Sequence, residues 1–333
     1  MSQLYPFLLL PEFRERVWGT RDLSLIYPHK TARQGGNFDQ PIGEVWLTGD
    51  ACRVSNGPLA GQTLGDLTQR FGRELLGEAA ADPSHFPLLL KFIFPKEKLS
   101  VQVHPDDDLA RAQGQSCGKT ECWYVVAAEP GAQVAIGFNR VVTRDDLEKA
   151  IAENHLEQLL RWVNVKPGEM IYVEAGAVHA IGPGVILLET QQNSDTTYRL
   201  YDYGRGRELH IRDGLAAMKD HPHMGKVARH DSNGLTNLVS SPCFVVDKFV
   251  LRKEEDRVIP ARTGHSSAQV LVALDGCGVI EVDGMLPVTF AKGEAVVLPA
   301  TVRDFRIRPQ WALECLRACV PGEALPHPQT TLT

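Results

Sequence analysis

Apolar residues in this chain come mostly in short runs that are separated by Pro-Gly, Gly and Asp turns. The segment from Val163 to Gln192, VNVKPGEMIYVEAGAVHAIGPGVILLETQQ, shows this rhythm most clearly. From about Ser240 the rhythm returns in CFVVDKFVLR, AQVLVALDG, CGVIEVDG and EAVVLPA. Short apolar strands with turn residues between them are typical of a β-barrel or a β-sandwich. The pattern therefore predicts a mainly β protein.

Three segments instead have the apolar spacing of amphipathic helices, namely residues 63–77, 143–163 and 211–219. Leucine and phenylalanine recur at helical spacing in the first segment, which Thr63 and Asp66 would cap. Thr143 and Asp146 would cap the second segment in the same way, and its leucines fall on one face. The sequence therefore predicts a few helices beside the strands.

An internal repeat connects the two halves of the chain. The segment KPGEMIYVEAGAVHAI aligns with AKGEAVVLPATVRDFRI when Gly168 is placed on Gly293. The second copy keeps the apolar strand and the turn, but Asp304 stands where the first copy has His179. This pattern predicts two related β-barrels, of which the second is structural and lacks the histidine.

Residues 100–105, SVQVHP, form a predicted strand whose two faces differ in character. Alternate residues of a strand point to opposite faces, so Ser100, Gln102 and His104 share one face and the two valines share the other. Polar side chains inside an apolar segment need hydrogen-bond partners or a metal ion. The valine face is therefore predicted core, and the polar face is a candidate site.

Two residues from distant segments could complete a metal site with this strand. Glu121 lies in GKTECWYVV, and His179 lies in VEAGAVHAIGPG. Together with Gln102 and His104 they offer four nitrogen and oxygen ligands, which suit a divalent metal with open coordination positions. A metal centre on these four residues is the central prediction from the sequence.

Composition and charge narrow the class of protein. The 333 residues are 43% hydrophobic and 23% charged, as in an ordinary soluble globular protein. The net charge of -6 argues against general affinity for nucleic acid or for anionic membranes.

No apolar run approaches the ~20 residues that cross a bilayer, and the N-terminus has no signal-peptide pattern. Seven cysteines without a CxxC pair suit a reducing compartment, so we expect a cytoplasmic protein.

The motifs resemble those of one enzyme family. SVQVHPDD, GKTECWYV, VEAGAVHAI and ETQQNSDTTYRLYD are similar, in this order, to the motifs of the type I mannose-6-phosphate isomerases (phosphomannose isomerases) in their short bacterial form. The resemblance covers nearly the whole chain and implies the cupin fold. Together with the repeat, it implies two cupin-type β-barrel or jelly-roll domains with a few helices. These would be a catalytic domain of residues 1–235 and a degenerate domain of residues 236–333.

The resemblance also implies roles for individual residues. The four residues of the predicted metal centre would hold one Zn²⁺ per chain. Arg199, Lys119 and Glu189 would be catalytic, and Ser100, Lys119 and Arg199 would contact the phosphate or the reacting oxygens. Zinc and Arg199 would stabilise charge, while the base is open between Glu189 and a metal-bound water or hydroxide. The family often has proline at the position of Glu174, a difference expected to affect the turn rather than the metal.

These features predict a zinc-dependent aldose–ketose isomerase that interconverts mannose 6-phosphate and fructose 6-phosphate through an enediol. Its partner would be the small sugar phosphate, bound by a monomer or a homodimer. Three alternatives stay open: a non-catalytic sugar-phosphate-binding or regulatory homologue, another metal-cupin enzyme such as an iron dioxygenase, and an isomerase that acts on unphosphorylated mannose or on glucose 6-phosphate. Iron cupins commonly use a His-x-His pair, whereas Gln102 and His104 form Gln-x-His, which favours zinc and redox-neutral chemistry.

Overall fold

The computed structural model describes residues 4–28, 40–232, 235–252, 257–260 and 267–332. These residues form three antiparallel sheets with a few short helices, which confirms the prediction of a mainly β fold. Within the described residues, the strands of each sheet follow an open order instead of closing into a barrel. No helix in these segments is long and apolar enough to cross a bilayer.

Two of the sheets pack face to face and form the half of the molecule that contains the site. The five-stranded sheet consists, in spatial order, of β12 (Tyr198–Tyr201), β5 (Val101–Val103), β10 (His179–Ile181), β7 (Gln133–Phe138) and β8 (Leu160–Asn164). The eight-stranded sheet consists of β2 (Glu12–Thr20), β3 (Ile42–Trp46), β4 (Leu88–Ile93), β11 (Val185–Gln192), β6 (Glu121–Ala128), β9 (Met170–Val173), β13 (Met224–Val227) and β22 (Thr330–Thr331).

The third sheet has nine strands and contains most of the C-terminal part of the chain. Its main path is β1 (Phe7–Leu9), β20 (Ala295–Leu298), β18 (Gln269–Glu281), β21 (Asp304–Cys319), β16 (Val245–Arg252), β15 (Leu235–Ser240) and β14 (His230–Ser232). Two further strands belong to this sheet: β17 (Arg257–Pro260) pairs with β21, and β19 (Val288–Ala291) pairs with β18.

The eight-stranded sheet is the middle layer and packs against a neighbouring sheet on each face. Strand β4 has the sequence LLLKFI, a near-continuous apolar run of the kind that a strand covered on both sides requires. Its Ile93 packs with Trp123 in the core shared with the five-stranded sheet. Its Phe92 packs with Val246 in the core shared with the nine-stranded sheet. The lysine in the middle of this strand, Lys91, is therefore buried inside the protein.

The helices begin where their capping residues predict. Thr63 accepts a hydrogen bond from the Asp66 amide while the Asp66 carboxylate accepts one from the Thr63 amide, and Thr143 and Asp146 do the same. The segment predicted as one helix over 63–77 is divided at Gly72, whose φ of +46° interrupts the helix. The helices are α1 (Leu64–Phe71), α2 (Arg73–Leu76), α3 (Asp107–Ala112), α4 (Arg144–Ala152), α5 (Ile211–Ala217) and the 3₁₀ turns Gly57–Leu59 and Leu156–Leu159.

The prediction of one helix over residues 143–163 is wrong beyond Ala152. Asn154 has a φ of +58°, which ends the helical turn, and the chain continues as a 3₁₀ turn and then as β8. The apolar spacing suggested one helix because α4 and β8 both bury apolar residues in the same core. Leu147 of α4 and Leu160 of β8 belong to one cluster behind the five-stranded sheet.

The internal repeat corresponds to equivalent structure in the two halves. Gly168 and Gly293 have φ values of +85° and +82° and lie two residues before β9 and β20. The next strands, β10 and β21, begin at His179 and Asp304, the residues that the alignment equates. His179 is fully buried, whereas the side chain of Asp304 is exposed to solvent.

The first and last of the described strands each pair with the sheet of the other half of the molecule. Phe7 of β1 pairs with Val297 of β20, so the first strand belongs to the nine-stranded sheet. Thr331 of β22 pairs with Lys226 of β13, so the last strand belongs to the eight-stranded sheet. The division at residues 235 and 236 stays a prediction, because each predicted domain contributes a strand to the other half.

Candidate active site and metal centre

Three predicted site residues form one row across the five-stranded sheet. Strand β5 lies between β10 and β12, and Gln102 is directly opposite His179 on one side and Arg199 on the other. Residues opposite each other in an antiparallel pair point to the same face. Because Val101 and Val103 pack in the core behind the sheet, this row faces the eight-stranded sheet.

Glu121 faces the row from the first position of β6 in the opposing sheet. Its Oε1 atom lies 3.2 Å from Nε2 of His179, and its Oε2 atom lies 3.4 Å from Nε2 of His104. All three side chains are no more than 2% exposed. The structure therefore brings both predicted histidines and the predicted carboxylate into one buried cluster.

Backbone carbonyl groups orient both imidazoles. Nδ1 of His104 lies 2.9 Å from the carbonyl oxygen of Thr196, and Nδ1 of His179 lies 2.9 Å from that of Ala177. A carbonyl oxygen can only accept a hydrogen bond, so each Nδ1 carries the proton and donates it. Each Nε2 therefore presents its lone pair toward Glu121, as a metal-binding histidine does.

The chemistry of this cluster fits a divalent metal ion. Nε2 of His104 and Oε2 of Glu121 are buried without a hydrogen-bond partner, which is costly unless a cation binds between them. The three ligand atoms lie within 4.8 Å of one another. Burial lowers the pKa of both imidazoles, to about 3 for His104. Burial disfavours the charge of Glu121, but the two histidines and Lys119 hold its pKa well below its usual range. The ligands are thus in the protonation states that metal binding requires.

Gln102, the fourth predicted ligand, lies beside the cluster. Its Nε2 atom is 3.1 Å from Nε2 of His179, and its Oε1 atom accepts a hydrogen bond of 3.4 Å from the Ser100 hydroxyl. Ligation through the amide oxygen requires the amide to be flipped, since the nitrogen has no lone pair to offer. Gln102 is therefore at the site, with its amide nitrogen turned toward His179.

A cavity of about 450 Å³ opens beside this cluster between the two sheets. All predicted catalytic and substrate-binding residues line it, namely Ser100, Lys119, Glu189 and Arg199. Nζ of Lys119 is 3.8 Å from Oε2 of Glu121, inside the buried end of the cavity. The cavity thus combines the candidate metal centre with cationic and carboxylate side chains.

Glu189 is a buried carboxyl group beside the candidate metal ligands. Burial and the neighbouring charge of Glu121 raise the pKa of Glu189 to about 8. Oε2 of Glu189 also lies 3.6 Å from Nζ of Lys91. A carboxyl group with this pKa can hold or release a proton near neutral pH, which a general acid–base residue requires.

Sequence reasoning missed Lys91, which lines the same cavity. Its ammonium group lies 3.6 Å from Glu189 and 3.8 Å from Glu44, and the residue is 3% exposed. The signal for Lys91 was available, because a lysine inside the apolar run PLLLKFIF needs a buried partner. Its partners come from β3 and β11, far apart along the chain, and only the fold identifies them.

Sequence reasoning also missed Arg207, which lines the cavity together with Arg199. Asp202 is buried and accepts hydrogen bonds of 2.8 Å from Nε of Arg207 and from a terminal nitrogen of Arg205. Arg199 donates a 2.7 Å hydrogen bond to the Glu208 carbonyl, and its buried Nε has no partner. Burial and the nearby Arg207 lower the pKa of Arg199. Arg199 and Arg207 thus form a cationic end of the cavity, which we call the arginine end.

The mainly β fold, with two histidines and a glutamate at a polar cavity, is that of a cupin with a candidate metal centre. Comparison with known proteins identifies the family within this class. Residues 7–134 match the family described as phosphomannose isomerase type I, catalytic domain. The chain therefore belongs to the type I phosphomannose isomerases, a family of isomerase enzymes. The resemblance found in the sequence motifs is confirmed.

Relatives match over nearly the whole chain. The mannose-6-phosphate isomerase ManA of Bacillus subtilis is 34% identical over 322 residues, which cover 91% of this chain and 95% of the relative. The mannose-6-phosphate isomerase of Streptococcus mutans is 34% identical over 318 residues, 90% of this chain and 94% of its own. The crystal structure of a B. subtilis mannose 6-phosphate isomerase superposes with a TM-score of 0.80 at 29% identity, covering 94% of this chain and 99% of that one.

Proposed function

We propose that this isomerase interconverts mannose 6-phosphate and fructose 6-phosphate with one zinc ion per chain. The observation that carries the proposal is the buried cluster of His104, Glu121 and His179 at a cavity that also contains Glu189 and the arginine end. The relatives named above act on mannose 6-phosphate by their names, which supports the choice of substrate.

The reaction requires a proton to move between C2 and C1 while the carbonyl group changes place, through an enediol. A zinc ion held by His104, Glu121, His179 and a flipped Gln102 would supply Lewis-acid polarisation of the substrate oxygens. Glu189 is the proposed proton carrier, because it is a buried carboxyl group that lines the cavity beside the candidate metal ligands. Lys91 holds this carboxyl group in place from the other side.

The cationic side chains of the cavity have separate proposed roles. Lys119 lies 3.8 Å from Glu121 and would stabilise negative charge on the reacting oxygens. At the arginine end, Arg199 and Arg207 would bind the phosphate, since guanidinium groups match phosphate geometry. Ser100 lines the same cavity and is the proposed neutral contact to the substrate. The two ends of the cavity thereby orient the sugar with its reacting carbons at the metal centre.

Further parts of the proposal concern the protein as a whole. All seven cysteines are free thiols, which supports a reducing compartment such as the cytoplasm. We keep the division into a catalytic domain of residues 1–235 and a degenerate domain of residues 236–333 as a proposal. In this division β1 pairs with a strand of the degenerate domain, and β22 pairs with a strand of the catalytic domain. A monomer or homodimer is the proposed assembly.

The first test is an assay that couples fructose 6-phosphate formation to a coloured product. The protein is assayed as purified, after removal of metal by a chelator, and after zinc is added back. We expect turnover that is lost with the metal and restored by zinc. No turnover by folded, zinc-loaded protein overturns the isomerase proposal and favours a binding protein. Turnover that persists without metal overturns the role of zinc alone.

A further inference from the structure

One short loop forms hydrogen bonds with two candidate metal ligands, His104 and His179, and with Thr120, the residue before a third. This loop, residues 174–177 between β9 and β10, has the sequence Glu-Ala-Gly-Ala. The carbonyl of Ala177 accepts the proton of His179 Nδ1 at 2.9 Å, and the amide of Gly176 donates to the carbonyl of His104 at 2.9 Å. The amide of Ala175 donates to the hydroxyl of Thr120, next to Glu121, at 3.1 Å. The position of this loop therefore determines how the ligands are oriented.

Lys219 holds the loop from outside. Its amide donates to the carbonyl of Gly176 at 3.1 Å, and its side chain lies against that glycine. A Cβ atom on Gly176 would lie 2.5 Å from Cγ of Lys219, and the φ of +93° excludes most other residues. The ammonium group ends 2.9 Å from Oε1 of Glu174 and 3.3 Å from Asp106. Asp106 comes two residues after His104, so Lys219 connects the loop to the strand of that ligand.

Glu174 is fixed on its other side as well. Its Oε2 atom accepts a 2.7 Å hydrogen bond from the amide of His223, and its own amide donates to the carbonyl of His223 at 2.9 Å. A proline at this position could not donate that second bond. Glu174 is 8% exposed and does not line the cavity, and Lys219 does not line it either. The pair therefore acts on the ligands through the loop and not on the substrate.

We propose that the ion pair of Glu174 and Lys219 positions the candidate metal ligands and thereby sets the affinity of the site for zinc. The proposal rests on the metal centre of the proposed function, but not on the identity of the substrate. It replaces the expectation that Glu174 affects only the turn. Partners that orient metal ligands typically change metal affinity by about 10- to 100-fold when they are removed.

A second metal site on Glu174 is the competing explanation. His223 and His327 have ligand atoms within 4.8 Å of Glu174 and of each other. However, their rings stack at 4.5 Å with only 10° between the planes, so their faces rather than their nitrogens meet. The ammonium of Lys219 also lies against the carboxylate oxygen that a second cation would need. The geometry favours the ion pair.

The test measures zinc affinity and stoichiometry in the absence of substrate. Metal-free wild type, Glu174→Gln, Lys219→Met and the double variant are titrated with zinc against a chromophoric chelator. Glutamine keeps an oxygen for the His223 amide and removes only the charge. We expect the zinc Kd to rise about 10- to 100-fold in each single variant and no further in the double variant. Lys219→Arg, which keeps both carboxylate contacts, should restore an affinity close to wild type.

Glu169→Gln is the matched control, because Glu169 forms a 3.0 Å ion pair with Lys226 in the same sheet without touching the loop. Its zinc affinity should equal that of the wild type. Unchanged zinc Kd values in both folded single variants overturn the proposal, even if their melting temperatures fall. Two zinc ions in the wild type and one in Glu174→Gln would also overturn it and make Glu174 a ligand. If Glu174→Gln does not fold, Lys219→Met and Lys219→Arg decide the question.

Discussion

His179 and Arg199 lie in one row of the five-stranded sheet, each directly opposite Gln102 from a different neighbouring strand. Two strand spacings of about 4.8 Å separate their backbones, so the metal centre and the arginine end are held about 10 Å apart by the sheet itself. A slip of β5 by one residue would turn Gln102 away from both. The register of β5 therefore determines that Gln102 lies between the metal centre and the arginine end on the cavity face of the sheet.

Glu189→Gln should lower kcat by about 100- to 10,000-fold, because the variant loses the proposed proton carrier. Zinc content should stay at the wild-type level, since Glu189 is not among the candidate ligands. The decisive measurement is exchange of the substrate C2 proton with solvent deuterium, followed by NMR. Glu15→Gln, at another carboxylate that lines the cavity, is the control and should keep its exchange rate. Wild-type exchange in Glu189→Gln would assign the proton transfer to another group.

Lys91→Met should lower the free energy of unfolding by about 3–5 kcal/mol, because two buried carboxyl groups lose their shared cation. Urea unfolding measures the change. Lys91→Met with Glu44→Gln should recover part of the loss, since the double variant also removes the carboxylate that Lys91 helps to keep ionised. Arg144→Met, which breaks an exposed pair with Glu148, should cost about 1 kcal/mol or less. Equal losses in Lys91→Met and Arg144→Met would contradict a buried ionic network.

In the metal-free protein, the contribution of Glu189 to stability should be lost as the pH rises between about 4.5 and 8. Burial, with the charge of Glu121, raises the pKa of Glu189 from 4.5 to about 8, so the folded chain keeps a proton that the unfolded chain has released. The contribution is fully present below pH 4.5 and is lost as the pH approaches 8.

The measurement is urea unfolding of the chelated protein at the two ends of this pH window, beside Glu189→Gln. The glutamine side chain does not ionise, so the free energy of unfolding of the wild type should fall relative to that of the variant across the window. Comparing the two proteins removes the contribution of the buried histidines, which titrate in an overlapping range. Identical pH dependence in both proteins would show that Glu189 ionises normally.

Arg207→Met should raise KM for mannose 6-phosphate by about 10- to 100-fold, since a charged hydrogen bond is worth about 1.5–3 kcal/mol. Steady-state kinetics with mannose 6-phosphate gives this value, and unphosphorylated mannose provides the comparison. Arg205→Met is the matched control, because Arg205 also binds Asp202 but does not line the cavity. A loss of activity that is equal for both sugars would contradict phosphate binding at the arginine end.

The local sequence pattern predicted the structure correctly where the pattern lies within one strand or one helix cap. The alternation in residues 100–105 placed Gln102 on the cavity face and Val103 in the core, and the strand structure agrees. The capping residues of α1 and α4 were also found, because a cap depends only on residues three positions apart.

Other features depend on how the sheets pack, which no local pattern describes. Helical spacing placed Leu147 and Leu160 on one helix, although the chain turns at Asn154 and both residues reach the same core from different elements. Lys91 belongs to the cavity because β11 brings Glu189 beside it, and Arg207 because the chain after β12 turns back to hydrogen-bond Arg199 at Glu208. Neither pairing has a fixed spacing along the chain.

The pairing of β1 with β20 has a consequence for synthesis of the protein. Phe7 and Val297 are neighbours in the nine-stranded sheet, although almost the entire chain lies between them. The ribosome therefore releases β1 long before its partner exists, and β1 stays without that partner until residues 295–298 have been synthesised. Such long-range pairing slows folding, and open strand edges invite aggregation. Efficient production should thus depend on a chaperone or on slow expression at low temperature.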